Sequence, residues 1–448
     1  MASLGAIESE PPRKAAATTS SNYRDLFRNP NYLRVFSAGL ASVAGSAIAS
    51  VCLIWIVFID TGSALDVALI GASNVVAAIL FSTLGGTLVD RYDRRRLMIV
   101  SDVMRAVALG GVVLVLGLRG FNLPILLVAG AVLGAFTVLF NPAEQAIVPV
   151  LVPPAQVADA NGLVRSSRSI LSFVGISIGG VLIVAAGPLW GVAANALTFV
   201  LSAALLTGMS IPRVSAAPQP TYFTDLRDGF TWLWNAQGFF QLTLSALFFN
   251  FAWTLIGAFL VFYATLVLHG SALVYAALLL AEVAGIAVGS LLVGRLGAAR
   301  YAGKAWVVPY GVVSGAVALV LYFVPSTPVA VVVLFVLGAL SGFAGTAWLT
   351  AAQLLVPTRM QGRYFGVDAL GSAAIIPIAQ IGGAFLIEMF AVRSTYLIAA
   401  VFWIILGLVF LVPRALWNLG VPPGGPTSSR SVVGGVGTSE ALEENPDG

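Results

Sequence analysis

The sequence predicts an all-α membrane protein of twelve transmembrane helices in two six-helix bundles, and three observations carry that prediction. Of 448 residues, 59% are hydrophobic and only 9% charged, against the roughly 25% charged residues of a soluble globular domain. Apolar runs of roughly 20 residues, the length that crosses ~30 Å of hydrocarbon as a helix, recur from Leu33 to Pro413. The basic residues fall between these runs with the alternation that membrane topology demands. The 47 Gly and 22 Pro fit the same class, because membrane helices tolerate both.

In chain order, residues 1–31 are polar and rich in Ala, Ser and Pro. They lack the apolar core and small-residue cleavage site of a signal peptide and are expected to form a cytoplasmic tail. Spans follow near 33–59, 65–89, 97–118, 123–148, 162–186 and 189–210, which makes 32–210 a first bundle. The longest internal connection, 211–236, holds Pro212, Pro218 and Pro220 and then YFTDLRDGFTWLWN. Phe223, Leu226, Phe230 and Leu233 share one face there, so a linker with an amphipathic helix on the cytoplasmic membrane surface is expected. A second bundle over 237–413 has spans near 237–267, 272–294, 305–323, 328–355, 364–390 and 395–413. The last stretch, 414–448, is rich in Gly, Ser, Pro and Glu and buries too little apolar surface to order itself.

An even number of spans with both termini cytoplasmic predicts where Lys and Arg belong. Of the 23 basic residues, all but Arg119 and Arg393 fall in inner loops, tails or inner helix ends. The formal net charge of +4 is thereby explained by topology, and no nucleic-acid partner is needed. Membrane lipids are the expected neighbours, in a bacterial-type plasma membrane, and the chain is expected to act as a monomer. Cys52 and His269 are the sole cysteine and histidine, which excludes an intrachain disulfide and a Cys/His metal site. A Walker A pattern is absent, as are a paired-Asp diphosphate motif, a His/Asp acyl-transfer site and a serine nucleophile elbow. Neither an enzyme nor a cofactor is implied.

The two halves echo each other. GGTLVDR from Gly85, after the second span, matches GSLLVGR from Gly289, after the eighth; AEQAIVP from Ala143 matches AAQLLVP from Ala351. Parallel six-helix repeats about an axis along the membrane normal build a central cavity between two rocking halves in one class of transporter.

The stretch GGTLVDRYDRRR fits the pattern Gly-x-x-x-Asp-Arg-x-x-Arg-Arg at Gly86, Asp90, Arg91, Arg94 and Arg95. Gly86 lets a neighbouring helix approach closely. Asp90, at a helix C-terminus, faces the negative end of its own helix dipole and needs an outside partner. With SDVMRA from Ser101, FNPAEQAIVPVLVP from Phe140 and ADANGL from Ala158, the chain resembles the major facilitator superfamily, in the branch of enterobactin exporters and macrolide-efflux proteins. That resemblance implies a cytoplasmic gate at Gly86, Asp90, Arg91, Arg94 and Arg95, with Asp90 meeting a helix start near Gly362 to Gly366. It also implies alternating access and export of a bulky amphipathic small molecule (drug, macrolide or siderophore) in exchange for protons. Two features depart from the branch: GISIGG, Gly175 to Gly180, has Ile176 where Pro is expected, and the fourth span lacks an embedded Arg. An importer or a lipid transporter of the same fold stays open, because fold fixes neither direction nor substrate; a membrane-embedded enzyme is a more distant alternative.

Polar groups at mid-bilayer cost at least ~2.5–3.5 kcal/mol when charged and ask for a reason. Glu282, midway along the eighth span, is the candidate for proton or cation coupling; the alternative is a neutral side chain packed for structure. Ser42, Ser46 and Ser50 recur every four residues and put three hydroxyls on one helix face, either lining the cavity or serving close helix packing. Small-residue packing is likewise open for Gly130/Gly134 and Gly338/Gly342. Asn74, Asn250 and Gln380 lie deep in their spans and are candidate substrate contacts. Asp60 and Glu388 are placed near outer helix ends, and Asp102, Glu144 and Asp368 near inner ones, as interfacial acids. Asp102 and Arg105 are spaced to pair on one helix face, and Arg165 and Arg168 to snorkel to the interface.

Overall fold

A computed structural model describes residues 23–153, 156–209, 222–296 and 306–412, with the side chains of 83–91 and of a few residues beside breaks outside the description. Residues 1–22 of the predicted N-terminal tail, the predicted C-terminal tail and the proline-rich part of the linker lie outside the described residues, whereas the end of the predicted N-terminal tail forms a short helix, Tyr23–Arg28, and leads into the first span at Pro30. Among the described residues, ten helices are long and apolar enough to cross a membrane. Two features raise the number of membrane-crossing arms to twelve. Tyr310–Phe323 is a shorter apolar helix continuing a π-helical turn, Trp306–Val313. The 52-residue helix Thr358–Val409 is broken at Ala391, whose φ of 65° and ψ of 160° leave the helical region.

In order, the first six spans are Pro30–Thr61, Ala64–Arg91, Arg94–Arg119, Leu123–Leu151, Val157–Ala185 and Pro188–Thr207. Local chemistry sets several starts. Asn29 accepts from the N–H groups of Asn31 and Tyr32 at 3.0 and 3.2 Å, and Pro30 then occupies a position where its missing N–H costs nothing. Asp93 caps the third span through Arg96 N–H, and Asn122 the fourth through Ile125 N–H, both at 3.1 Å. Gly62, with φ +60°, ends the first span in a left-handed conformation that a side chain would strain.

The seventh span runs Gln237–Gly257 and on through Leu260–Phe262 and a π turn, Tyr263–Val267. The eighth is Ala272–Leu296, the ninth comprises Trp306–Val313 and Ser314–Phe323, and the tenth is Thr327–Leu355. The eleventh and twelfth are the two arms of Thr358–Val409 on either side of Ala391.

Packing repeats between the halves. The first span lies against the fifth and sixth, the second against the fourth, and the third against the sixth. In the second half the seventh packs on the eleventh through Phe259 against Gly383 and on the twelfth through Trp253 against Trp403. The eighth packs on the tenth, and the ninth meets the twelfth where Gly311 faces Gly407. Two seams correspond closely. A Cβ on Gly134 would strike the backbone of Asn74, and one on Gly338 or Gly342 the backbone of Glu282 or Ile286. These glycines let helix backbones touch, the route by which van der Waals contact holds helices together in lipid. The packing reading therefore holds for Gly134, Gly338 and Gly342, and Gly130 packs against Ser73. Large apolar side chains such as Leu80, Leu114, Leu118 and Leu291 stand exposed on the outside, where the solvent is hydrocarbon.

The surface helix forms as Tyr222–Asn235, but its apolar residues do not share one fate. Leu233 is buried, while Phe230 and Trp234 are exposed and lie against each other with ring centroids 6.1 Å apart. Gly229 sits on the backbone of Arg363, and Leu226 approaches Gly366; Asp228 pairs with Arg363 at 3.1 Å. The helix thus rests on the start of the eleventh span. Phe223 lies outside the described side chains.

Candidate functional site

The helices alternate in direction, so one end of the molecule carries Arg28, Arg94, Arg95, Arg96, Arg295 and Arg363, and the opposite end carries the turns at Gly62, Gly120, Gly187 and Ala391. Contacts that join the halves gather toward the opposite end. Trp55 stacks on Tyr275 at 6.4 Å and Phe58 meets Phe262 edge-on at 4.9 Å. Gly180 faces Ala276, and Gly71 faces the amide of Gln380. At the arginine-rich end, Arg34, Arg94 and Arg95 bond to backbone carbonyls of their own half. Arg94 donates to Ala146 O at 3.1 Å, Arg95 to Leu206 O at 2.8 Å and also to Thr207 O, and Arg34 to Gly208 O. Arg94 and Arg95 therefore tie the start of the third span to the fourth and sixth. The side chains of Gly86, Asp90 and Arg91 lie outside the described residues.

The first half contains a buried charge cluster that spans four helices. Arg105 donates to Asp102 at 2.5 Å, and Ser202 donates to the other oxygen of that carboxylate, also at 2.5 Å. The Arg105 guanidinium lies over the rings of Phe140 and Phe199, 4.6 and 4.4 Å from their centroids, a cation–π sandwich that offsets part of its desolvation. Arg168 pairs with Glu144 across the fourth and fifth spans, and a Cβ on Gly39 would run into that carboxylate. The predicted Asp102–Arg105 pair forms. The interfacial placement of Asp102 and Glu144 is corrected: their side chains are 0% and 5% exposed. Both helices extend a turn beyond the apolar runs that located them, and both carboxylates turn inward to a guanidinium. Arg168 does not snorkel free, because it is held by Glu144.

The second half treats its acids differently. Glu282 lies ten residues into the eighth span, roughly 15 Å along a helix rising ~1.5 Å per residue. Among the described residues no hydrogen bond or ion pair reaches its carboxyl. Tyr275, Tyr310 and Tyr396 lie within electrostatic range of it. Asp368, expected at an interface, instead lies ten residues inside the eleventh span, because that helix begins at Thr358, six residues before the apolar run. Its Oδ1 is buried without a hydrogen-bond partner. It faces a cavity of 260 Å³ lined also by Asn250, Tyr310, Ser341, Trp348 and Ser372, from the seventh, ninth, tenth and eleventh spans.

The remaining candidates separate. Asn74 Nδ2 donates to Gly130 O at 3.2 Å, which commits it to the seam between the second and fourth spans. Asn250 reaches the cavity and donates to Ser372 at 3.4 Å. Gln380 lies between the halves with its Oε1 buried and without a partner. Ser42 is buried with its hydroxyl unpaired, whereas Ser46 and Ser50 are exposed and Ser50 donates back to Ala47 O. Sequence reasoning missed Tyr310, Ser341 and Ser372, and named Trp348 only as one of several aromatic residues that could supply a pocket. Only the four-residue step from Tyr364 through Asp368 to Ser372, one face of a helix, could have signalled part of this group.

Comparison with known proteins agrees with the architecture. The family model described as Major Facilitator Superfamily matches residues 35–379. The multidrug efflux pump Tap of Mycobacterium tuberculosis is 29% identical over 89% of this chain and 97% of its own length. Macrolide efflux protein A of Streptococcus pyogenes is 24% identical over 59% of this chain and 66% of its own. Among solved structures, a bacterial homolog to the human lysosomal transporter Spinster, in an inward-facing and unoccupied conformation, superposes with a TM-score of 0.69 at 15% identity. That match covers 87% of this chain and 98% of the other.

Proposed function

The chain belongs to the Major Facilitator Superfamily, and from that membership we propose that it works by alternating access as a proton-coupled exporter of bulky amphipathic small molecules. It is a transporter and not an enzyme; its relatives named for multidrug and macrolide efflux support the direction. The arginine-rich end faces the cytoplasm of a cell-membrane protein with both termini inside, in keeping with the positive-inside rule.

In this reading the halves meet toward the end away from the cytoplasm through Trp55 on Tyr275, Phe58 on Phe262 and Gly180 on Ala276. Gly86, Asp90 and Arg91 form the cytoplasmic gate, which closes when Asp90 meets the start of the eleventh span near Gly362 to Gly366. Arg94 and Arg95 anchor that gate to the first half. Ser46, Ser50 and Gln380 contact substrate, and Glu282 carries the proton. The observation that supports the coupling assignment is the position of Glu282, deep in its span and without a charged or hydrogen-bonding partner among the described residues. An acid so placed exchanges a proton without breaking a structural bond.

The test uses inverted vesicles holding a pH-sensitive dye and an acid-inside gradient, challenged with amphipathic drugs, macrolides and siderophores. Substrate-dependent proton release is expected from the wild type and lost in Glu282→Gln and Asp90→Asn. Full proton-linked activity in Glu282→Gln removes Glu282 from the mechanism. Absence of release with folded wild-type protein sinks the coupling.

A further inference from the structure

The cavity at Asp368 collects oxygen donors from four helices: a carboxylate from Asp368, an amide from Asn250, and hydroxyls from Ser341, Ser372 and Tyr310. None of the residues that line it is basic, and Asp368 Oδ1 is buried without a hydrogen bond. A buried carboxylate oxygen in that position lacks the compensation that interior charges require. The space beside it is open, because a Cβ on Gly345, also in the wall, would meet nothing within 4 Å.

From this geometry we propose that the Asp368 cavity is a binding site for a monovalent metal cation, for which Na⁺ is the probe. Oxygen-only donors suit hard cations. One carboxylate among neutral oxygens balances a single positive charge. A divalent ion in the same place would keep an uncompensated charge inside the membrane region, and Ca²⁺ sites draw on several carboxylates. The cavity, at 260 Å³, exceeds the ~30 Å³ share of one water several-fold, so the ion retains part of its hydration while Asp368 neutralises it. The bond from Asn250 to Ser372 is long, at 3.4 Å, and an amide flip that turns Oδ1 to the ion gives up little. Ser341 hydrogen-bonds Tyr310, which holds two of the hydroxyls together. Tyr310 also lies within range of Glu282, so the ion would sit one residue removed from the proposed proton carrier. The site is distinct from that carrier and stands without it.

The experiment is ²²Na⁺ binding to the purified full-length protein by a scintillation proximity assay, competed with unlabelled Na⁺, Li⁺, K⁺ and choline. Intrinsic fluorescence is followed in parallel, since Trp348 forms part of the wall. Saturable binding that choline leaves intact is expected, weakened at least about tenfold in Asp368→Asn, as loss of the only ligand charge requires. Weaker binding is also expected in Ser372→Ala, which keeps the carboxylate and guards against a folding artefact. Glu388→Gln, an exposed acid at the opposite end, is expected to bind as the wild type does. A Na⁺-dependent fluorescence change is expected to disappear in Trp348→Phe. The proposal is overturned by absence of saturable binding to the wild type, by equal displacement with choline, or by wild-type affinity in Asp368→Asn. It is also overturned if tetraethylammonium saturates the site and Na⁺ does not, a result that would make it an organic ammonium pocket. None of these readings depends on transport, so failure here is separable from failure of the proton-coupled export reading.

Discussion

The first half of the molecule meets its buried acids with guanidinium groups: Asp102 with Arg105, Glu144 with Arg168. The second half leaves Glu282 and Asp368 without either an ion pair or a hydrogen bond among the described residues. The contrast is not one of scaffold, because the helix packing and the glycine seams repeat between the halves. The echo that aligns Ala143 with Ala351 puts Ala352 opposite Glu144, and the echo that aligns Gly85 with Gly289 puts Ala78 opposite Glu282. Each half has therefore placed charges where the other has alanine. A paired charge holds helices in one geometry and is costly to disturb. A solitary acid remains free to take up a proton or a cation, and so suits a role in coupling.

The sharpest break of this comparison is Arg105→Ala. It strands Asp102, which is 0% exposed, and breaking a buried pair from one side costs about 3–5 kcal/mol. Denaturant titration in mixed micelles is expected to show that loss, with much of it recovered by Asp102→Asn in the Arg105→Gln background. A wild-type transition in Arg105→Ala would mean that the cluster does not hold the first half together.

Next in size are Gly134→Leu and Gly338→Leu, at equivalent seams in the two halves. Overpacking costs about 1–3 kcal/mol or more, and the two variants are expected to lose similar stability in the same titration. A large effect in one half only would contradict the shared scaffold and make the charge difference one among several.

Much of this was legible in the sequence, for identifiable reasons. Hydropathy located the spans because lipid removes every alternative to a saturated helix, and Arg105 was paired with Asp102 because three residues place them on one face. Glu144 and Arg168 were not paired in advance: they are 24 positions apart on different helices, and hydropathy says nothing about which way a side chain turns. Asp368 was misplaced because the eleventh helix starts at Thr358, in polar residues such as Arg359, Gln361 and Arg363 that hydropathy counts as loop. The cavity was invisible for a related reason, since its wall is shared among four spans and has no local pattern.

A smaller effect is expected from Glu144→Gln. Its partner Arg168 is 28% exposed, so water compensates the freed guanidinium in part. The amide still accepts one hydrogen bond, and a loss of about 1–2 kcal/mol follows from what a charged hydrogen bond contributes. A loss as large as that of Arg105→Ala would show that the two pairs act as one network.

Glu282→Gln should perturb stability least, within about 1 kcal/mol, and it bears most directly on the contrast. Removing Glu282's charge breaks no described ion pair or hydrogen bond, and a neutral amide at that depth costs less than a carboxylate. Gln also preserves the side-chain volume beside the seam where Gly338 touches the Glu282 backbone, so packing is retained. The expected result is an unchanged unfolding transition together with lost proton release in vesicles. That pairing of results matters more than either alone, because a structural acid would lose stability and activity together. Destabilisation comparable to Glu144→Gln would assign Glu282 a hidden structural partner and dissolve the distinction between the halves.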